Sequence, residues 1–125
     1  MVFDLLHKAK NMRKHTISSY LLQKHDDPTG TSLQGELRAS YAQLVSLFGR
    51  HHYNDGYKSD AEWCFMTPAG VVTIYNYKDG RNYCGRKEGI PLQQIEEWHV
   101  GGTNKYVYSI IYALIEGYNN AIINK

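Results

Sequence analysis

The 125-residue chain has little of what usually staples or interrupts a small fold: two cysteines and three prolines. Cys64 and Cys84 lack metal-type spacing; they fall in or beside neighbouring strand candidates, where a bridge is geometrically possible, and are expected instead to persist as reduced thiols of an intracellular domain. Apolar runs are short. None approaches the length, about 20 residues, that a bilayer requires, so no membrane contact is expected. The first residues include Asp4 and no long apolar stretch, which argues against a secretory leader. Phenylalanine is scarce, at three residues. A net charge of only +2 excludes the dense negative surface with which a protein imitates DNA.

What is present fits one domain. The apolar fraction is 42%, enough for a core at this length without disulfides or metals. Eleven tyrosines stand against the three phenylalanines. Tyrosine joins a large apolar ring to a polar tip, so it suits both a small core and a surface that becomes covered on contact. Charge is uneven. Residues 1–25 hold Lys8, Lys10, Arg13, Lys14 and Lys24 against Asp4 alone, whereas the remainder is slightly acidic. The basic arm could meet an acidic partner or a phosphate backbone, or simply be a solvated helix face.

Periodicity orders the chain. Residues 3–24 carry apolar side chains at helical spacing (Leu5, Ala9, Met12, then Ile17, Tyr20, Leu21), which predicts a basic helical arm over 1–25. Ser32–Ala39 alternates, with Leu33, Gly35, Leu37 and Ala39 on one side, and predicts a half-buried strand. Ser40 caps a short helix with Tyr41, Leu44, Val45 and Phe48 on one face and Gly49 as its stop. Ala61–Met66 and Val71–Lys78 form a hairpin, followed by an Asp79-Gly80 turn and a short returning strand, Arg81–Cys84. Pro91 opens a helical turn through Ile95. Glu97–Val100 is a last strand, stopped by Gly101-Gly102. A C-terminal helix over 103–123 presents Val107, Ile110, Ile111, Leu114, Ile115 and Tyr118 as its apolar stripe. The expected fold is α+β: a small, mostly antiparallel sheet of four to five strands, helices on one face, helices at both ends, and a single domain of residues 1–125 with its α/β body at 30–102.

Catalytic signatures are weak. His51-His52 with Asp55 sits on a loop without a ligand at helical offset, so no metal is expected. Asp60 and Lys78 flank the hairpin as in metal-dependent nucleases, but Asn76 stands where the second carboxylate belongs. No nucleophile elbow and no phosphate-binding glycine loop occur. The chain is read as a binder rather than an enzyme, with no cofactor. The most suggestive set is Lys58, Tyr75, Tyr77, Lys78, Trp98 and His99, which combines rings with cations on strands or strand ends. Such a set suits a nucleotide-like ligand, by stacking and charge, or a protein hot spot. Gly101 and Gly102 beside it offer backbone that a partner can approach closely. The competing reading puts Trp63 and Trp98 in the core.

Five segments together resemble a family of short proteins encoded by bacteriophages and other large DNA viruses: Gly30-Thr31-Ser32-Leu33-Gln34-Gly35, Ser40-Tyr41-x-x-Leu44-Val45-x-x-Phe48-Gly49, Tyr57-Lys58-Ser59-Asp60-Ala61-Glu62-Trp63, Gly70–Lys78 and Trp98-His99-Val100-Gly101-Gly102. Ile74-Tyr75-x-x-Lys78 and the Trp-His-(Ile/Val)-Gly-Gly run are its most distinctive pieces. The resemblance spans roughly residues 30–102. It implies a viral origin, action in the host-cell cytoplasm, and a role as an accessory protein that binds and inhibits a host protein or protein–nucleic-acid complex, such as a CRISPR effector or another defence component. A nucleotide-like ligand is the alternative.

Overall fold

The computed structural model describes residues 22–123, with side chains to residue 119. The predicted arm therefore lies outside the described residues except at its end. There Gln23–Lys24 forms a two-residue strand, β1, rather than helix, pairing antiparallel with Met66 and Phe65 while Leu22 enters the core. A strand this short leaves no period of its own in the sequence. The remaining elements are β2 (Ser32–Arg38), α1 (Tyr41–Phe48), β3 (Glu62–Thr67), β4 (Gly70–Tyr75), α2 (Arg81–Glu88), a 3₁₀ turn (Leu92–Gln94), β5 (Glu97–Gly102) and α3 (Lys105–Ile123).

The five strands form one antiparallel sheet in the order β1-β3-β4-β5-β2. The fold is α+β, as expected. Ser40 caps α1 reciprocally: its Oγ accepts from the Gln43 amide at 3.0 Å, and the Gln43 side-chain oxygen accepts from the Ser40 amide at 2.8 Å. This connection carries the chain across the sheet from the β2 edge to β3. The α3 stripe is buried except at Tyr118, which is half-buried against the core; Val107, Ile110, Ile111, Leu114 and Ile115 join Trp63, Phe65, Val72, Ile74, Trp98 and Val100 in one core with Leu44, Leu47 and Phe48 of α1. Trp63 and Trp98 meet edge to face, 5.7 Å between centroids.

Four local expectations need correction. The last strand is not stopped by Gly101-Gly102 but runs through both, which pair with β2 and β4. Leu33 does not share a face with Leu37. Register slips between Leu33 and Gly35, so Gln34 is the extra residue of a bulge, and Leu33 pairs with Gly101 and is 54% exposed. The bulge leaves Gly35 beneath the Tyr108 ring, where a Cβ would collide. The expected strand Val71–Lys78 ends at Tyr75. Arg81–Cys84 is not a strand but the first turn of α2, which kinks at Gly85 (φ 87°). Every side chain of α2 is exposed, so no buried face favours extended chain there. The turn closes through Cys84 N–H to Gly80 C=O at 2.9 Å.

The β3 edge is covered piece by piece. β1 takes Met66 and Phe65, the His25 amide donates to the Cys64 carbonyl at 3.0 Å, and the His52 and Tyr53 amides donate to the Glu62 carbonyl. Covering an edge in this way blocks further strand pairing.

Candidate functional site

The face of the sheet turned away from α1 and α3 carries a row of side chains across four strands. Register places Glu62 (β3) opposite Tyr75 (β4), Tyr75 opposite His99 (β5), and His99 opposite Glu36 (β2). Neighbouring strands lie about 4.8 Å apart, and the side chains touch accordingly. The Tyr75 and His99 rings are 5.5 Å apart, and His99 Nε2 lies 3.5 Å from Glu36 Oε1.

From this row a ladder of rings runs past the end of β4. Tyr77 stacks on His99, with centroids 5.1 Å apart and planes at 21°. The Lys78 ammonium sits 5.2 Å from the Tyr77 ring and 5.3 Å from the Tyr83 ring. Tyr83 meets Tyr57 at 5.2 Å. Tyr57, Tyr77 and Tyr83 remain 57%, 41% and 40% exposed. An exposed run of large rings threaded by an ammonium group is what a partner's ring or anionic group can use.

The chain turns that aim these groups are held firmly. Asn76 is fully buried and uses its whole amide: Nδ2 donates to Asp60 Oδ1 (2.9 Å) and Asp79 Oδ1 (3.0 Å), and Oδ1 accepts from the Asp60 and Ala61 amides. The Asn82 amide then donates to Asp60 Oδ2. A carboxylate in place of Asn76 could not donate, so the residue that breaks the nuclease pattern is the one that ties residues 60–61 to the 79–82 turn. Lys78 adopts a left-handed φ of 59°, and its amide donates to the Lys58 carbonyl at 2.8 Å, which ties the two backbone segments together. Asp55 organises the preceding loop. Burial alone would raise its carboxyl, but the Tyr57, Ser59 and Lys58 amides outweigh this and hold it below the usual range.

Glu62 is the unusual member. It is 9% exposed, and its carboxyl has no hydrogen-bond or ion-pair partner among the described residues. Burial first, and the nearby Asp55 charge second, push it up to about 7. Its neighbour on the same strand face, Cys64, is a buried free thiol pushed up to about 11 by burial and then by Glu62.

Of the residues singled out in the sequence, Tyr75, Tyr77, Lys78 and His99 come together, with Lys58 beside them. Trp98 does not join them. Its ring is fully buried and its Nε1 donates to the Ala39 carbonyl at 2.8 Å. Gly101 and Gly102 are buried as well and offer a partner no open backbone. Gly101 lies under Thr73 and Tyr75, and Gly102 is packed against Val107 of α3. Their lack of side chain serves internal packing. His51 and His52 diverge: His51 Nδ1 pairs with the Tyr41 hydroxyl at 2.8 Å, whereas His52 Nε2 meets the Cys64 backbone. Glu62, Tyr57 and Tyr83 were not singled out. Hairpin register through the Thr67–Gly70 turn could have put Glu62 beside Tyr75, whereas Tyr83 was hidden by the strand reading of 81–84.

Comparison with protein-family models, curated proteins and solved structures finds no match for the chain. Among the described residues, no helix is long and apolar enough to cross a membrane.

Proposed function

We propose that this chain is a non-catalytic binding protein, a viral accessory factor that engages and inhibits a host protein or protein–nucleic-acid complex in the host cytoplasm through the Tyr75–Tyr77–Lys78–His99 surface. The observation that carries the reading is the exposed ladder of Tyr57, Tyr83, Lys78 and Tyr77, resting on the half-buried His99. Rings that need only burial in a core would be covered. These three tyrosines keep two-fifths or more of their surface in water, and tyrosine-rich patches carry much of the energy at protein interfaces. The resemblance of segments 30–102 to phage and large-virus proteins supplies the biological setting, and CRISPR effectors or other defence complexes are the fitting targets.

The test is affinity capture from a bacterial lysate with four immobilised proteins: wild type, Tyr77→Ala, Lys78→Gln and Tyr112→Ala. Tyr112 is an exposed tyrosine of α3, outside the ladder. A macromolecule retained by wild type and Tyr112→Ala but lost by the other two supports the reading. Capture of nothing, or equal capture by all four, contradicts it.

A further inference from the structure

Strands β1 and β2 stand at opposite edges of the sheet, and residues 25–31 join them. Register puts both ends of this link on one row: Lys24 pairs with Phe65, Phe65 with Val72, Val72 with Gly102, and Gly102 with Ser32. Four inter-strand spacings, about 19 Å, separate the ends. The chain from Lys24 to Ser32 reaches at most about 28 Å when fully extended, and a turn from Pro28 to Thr31 uses part of that length. The link therefore crosses directly over the sheet. α1 and α3 fill one face, so it crosses the other, as a strap along the row of Cys64, Thr73 and Gly101. The charges of Asp26 and Asp27 act on the Cys64 thiol accordingly.

The strap is weakly tied down. Its hydrogen bonds are mostly internal: the Thr29 amide donates to Asp27 Oδ1, and Thr31 donates to the Pro28 carbonyl through both its amide and its hydroxyl. Among the described residues, the bond from the His25 amide to the Cys64 carbonyl is the one that holds it to the sheet, and no ion pair does. On the face it crosses, Cys64 and Val71 are buried but stand outside the core that contains Trp63, Phe65, Val72 and Ile74. Lifting the strap therefore leaves that core closed, the condition for a local opening. Like charges gather at this place. Asp26 and Asp27 come close to Cys64, Glu62 is its neighbour on the same strand face, and Asp55 lies near Glu62. The other titratable groups around the pair are Tyr75 opposite Glu62, His25, whose charge acts on Asp27, and His52, whose Nε2 meets the Cys64 backbone.

We infer that residues 25–31 are a pH-released strap: ionisation of Glu62 adds a carboxylate to those of Asp26, Asp27 and Asp55, and the strap lifts while the core stays folded. Burial holds the Glu62 carboxyl up to about 7, so release falls near neutral pH. The Thr73–Gly101 pair that it uncovers adjoins the Tyr75–His99 pair. Lifting thus enlarges the face next to the tyrosine ladder.

The test uses buried Cys64 as the reporter and exposed Cys84 as its reference. The native full chain is alkylated with iodoacetamide at intervals from about pH 6 to about pH 8, and the rate at each cysteine is read by peptide mass. The ratio of the Cys64 rate to the Cys84 rate cancels the pH dependence that thiols share. In wild type it should rise about tenfold over this range, the change expected when opening returns Glu62 to its ordinary value. In Glu62→Gln it should stay flat, and in Asp26→Asn/Asp27→Asn it should fall below wild type at the upper end. Leu114→Ala weakens the core on the other face, so its ratio should match wild type if the opening is local. A ratio that is flat in wild type, that rises equally in Glu62→Gln, or that is unchanged in Asp26→Asn/Asp27→Asn overturns the inference. So does a ratio raised in Leu114→Ala in step with its lost stability, because Cys64 is then reached only through global unfolding.

Discussion

Tyr77 lies flat against His99, two residues beyond the last residue of β4, with ring centroids 5.1 Å apart and planes at 21°. The strand has already ended at this point, so the residues on either side of Tyr77 hold the stack: the buried Asn76 before it and the left-handed Lys78 after it. The ring surface is therefore built on a rigid turn rather than on a loose loop, and substitutions can separate the turn from the rings it presents.

Asn76→Ala removes a fully buried amide that makes four hydrogen bonds. Two backbone amides and two carboxylates each lose a hydrogen bond, Asp60 keeping the one from the Asn82 amide. The expected cost is roughly 2–5 kcal/mol in denaturant unfolding. Asn76→Asp should also destabilise, increasingly so as pH rises, because a third carboxylate is then ionised beside Asp60 and Asp79.

Replacing Ile111 or Leu114 with alanine should cost about 2–5 kcal/mol, since both are buried in the α3 contact with the sheet. A cost below about half a kcal/mol, measured by denaturant midpoints, would mean that this stripe does not seal the core.

Glu62 sets a pH dependence of definite sign. Its folded value is raised from 4.5 to about 7, so between those values the folded state binds more protons than the unfolded state. Stability then falls as pH rises through this window, by roughly 3 kcal/mol at most. Glu62→Gln should remove the loss: the variant matches wild type near pH 4.5 and is more stable at pH 8. His51, lowered by burial and then by Arg50 and His52, works in the opposite direction below its ordinary value, so the wild-type minus Glu62→Gln difference is the quantity to follow. A flat difference across pH 4.5–8 would contradict the buried placement of Glu62.

The sequence disclosed most of the framework because its signals were strong and local. The α3 stripe, the Ser40 cap with Gln43 three residues on, and the β3–β4 hairpin all follow from spacing alone. Elements set by long-range contacts did not show. β1 is two residues that pair only because β3 leaves an edge there. The Gln34 bulge, which turns Leu33 outward, is a matter of register with β5. α2 has no apolar period, and its shape comes from the Gly80–Ile90 bridge and the Asp60–Asn82 bond. At the site, alternation along β4 correctly sent Tyr75 away from Val72 and Ile74. It could not tell that Trp98 faces inward to the Ala39 carbonyl while His99, one residue on, faces the tyrosines.

Trp98→Phe removes part of a fully buried indole and strands the Ala39 carbonyl. A loss of about 1–3 kcal/mol in stability is expected, with the ring surface still able to bind. A variant that kept full stability but lost binding would return Trp98 to the surface set.

The most direct measurement compares capture by wild type, by the double variant Tyr77→Ala/Lys78→Gln, and by Tyr112→Ala, after each is shown to unfold at a similar midpoint. The expected result is one macromolecular partner held by wild type and Tyr112→Ala and released by the double variant. Equal retention by all three, with folding intact, would contradict the assignment of binding to the Tyr75–Tyr77–Lys78–His99 surface.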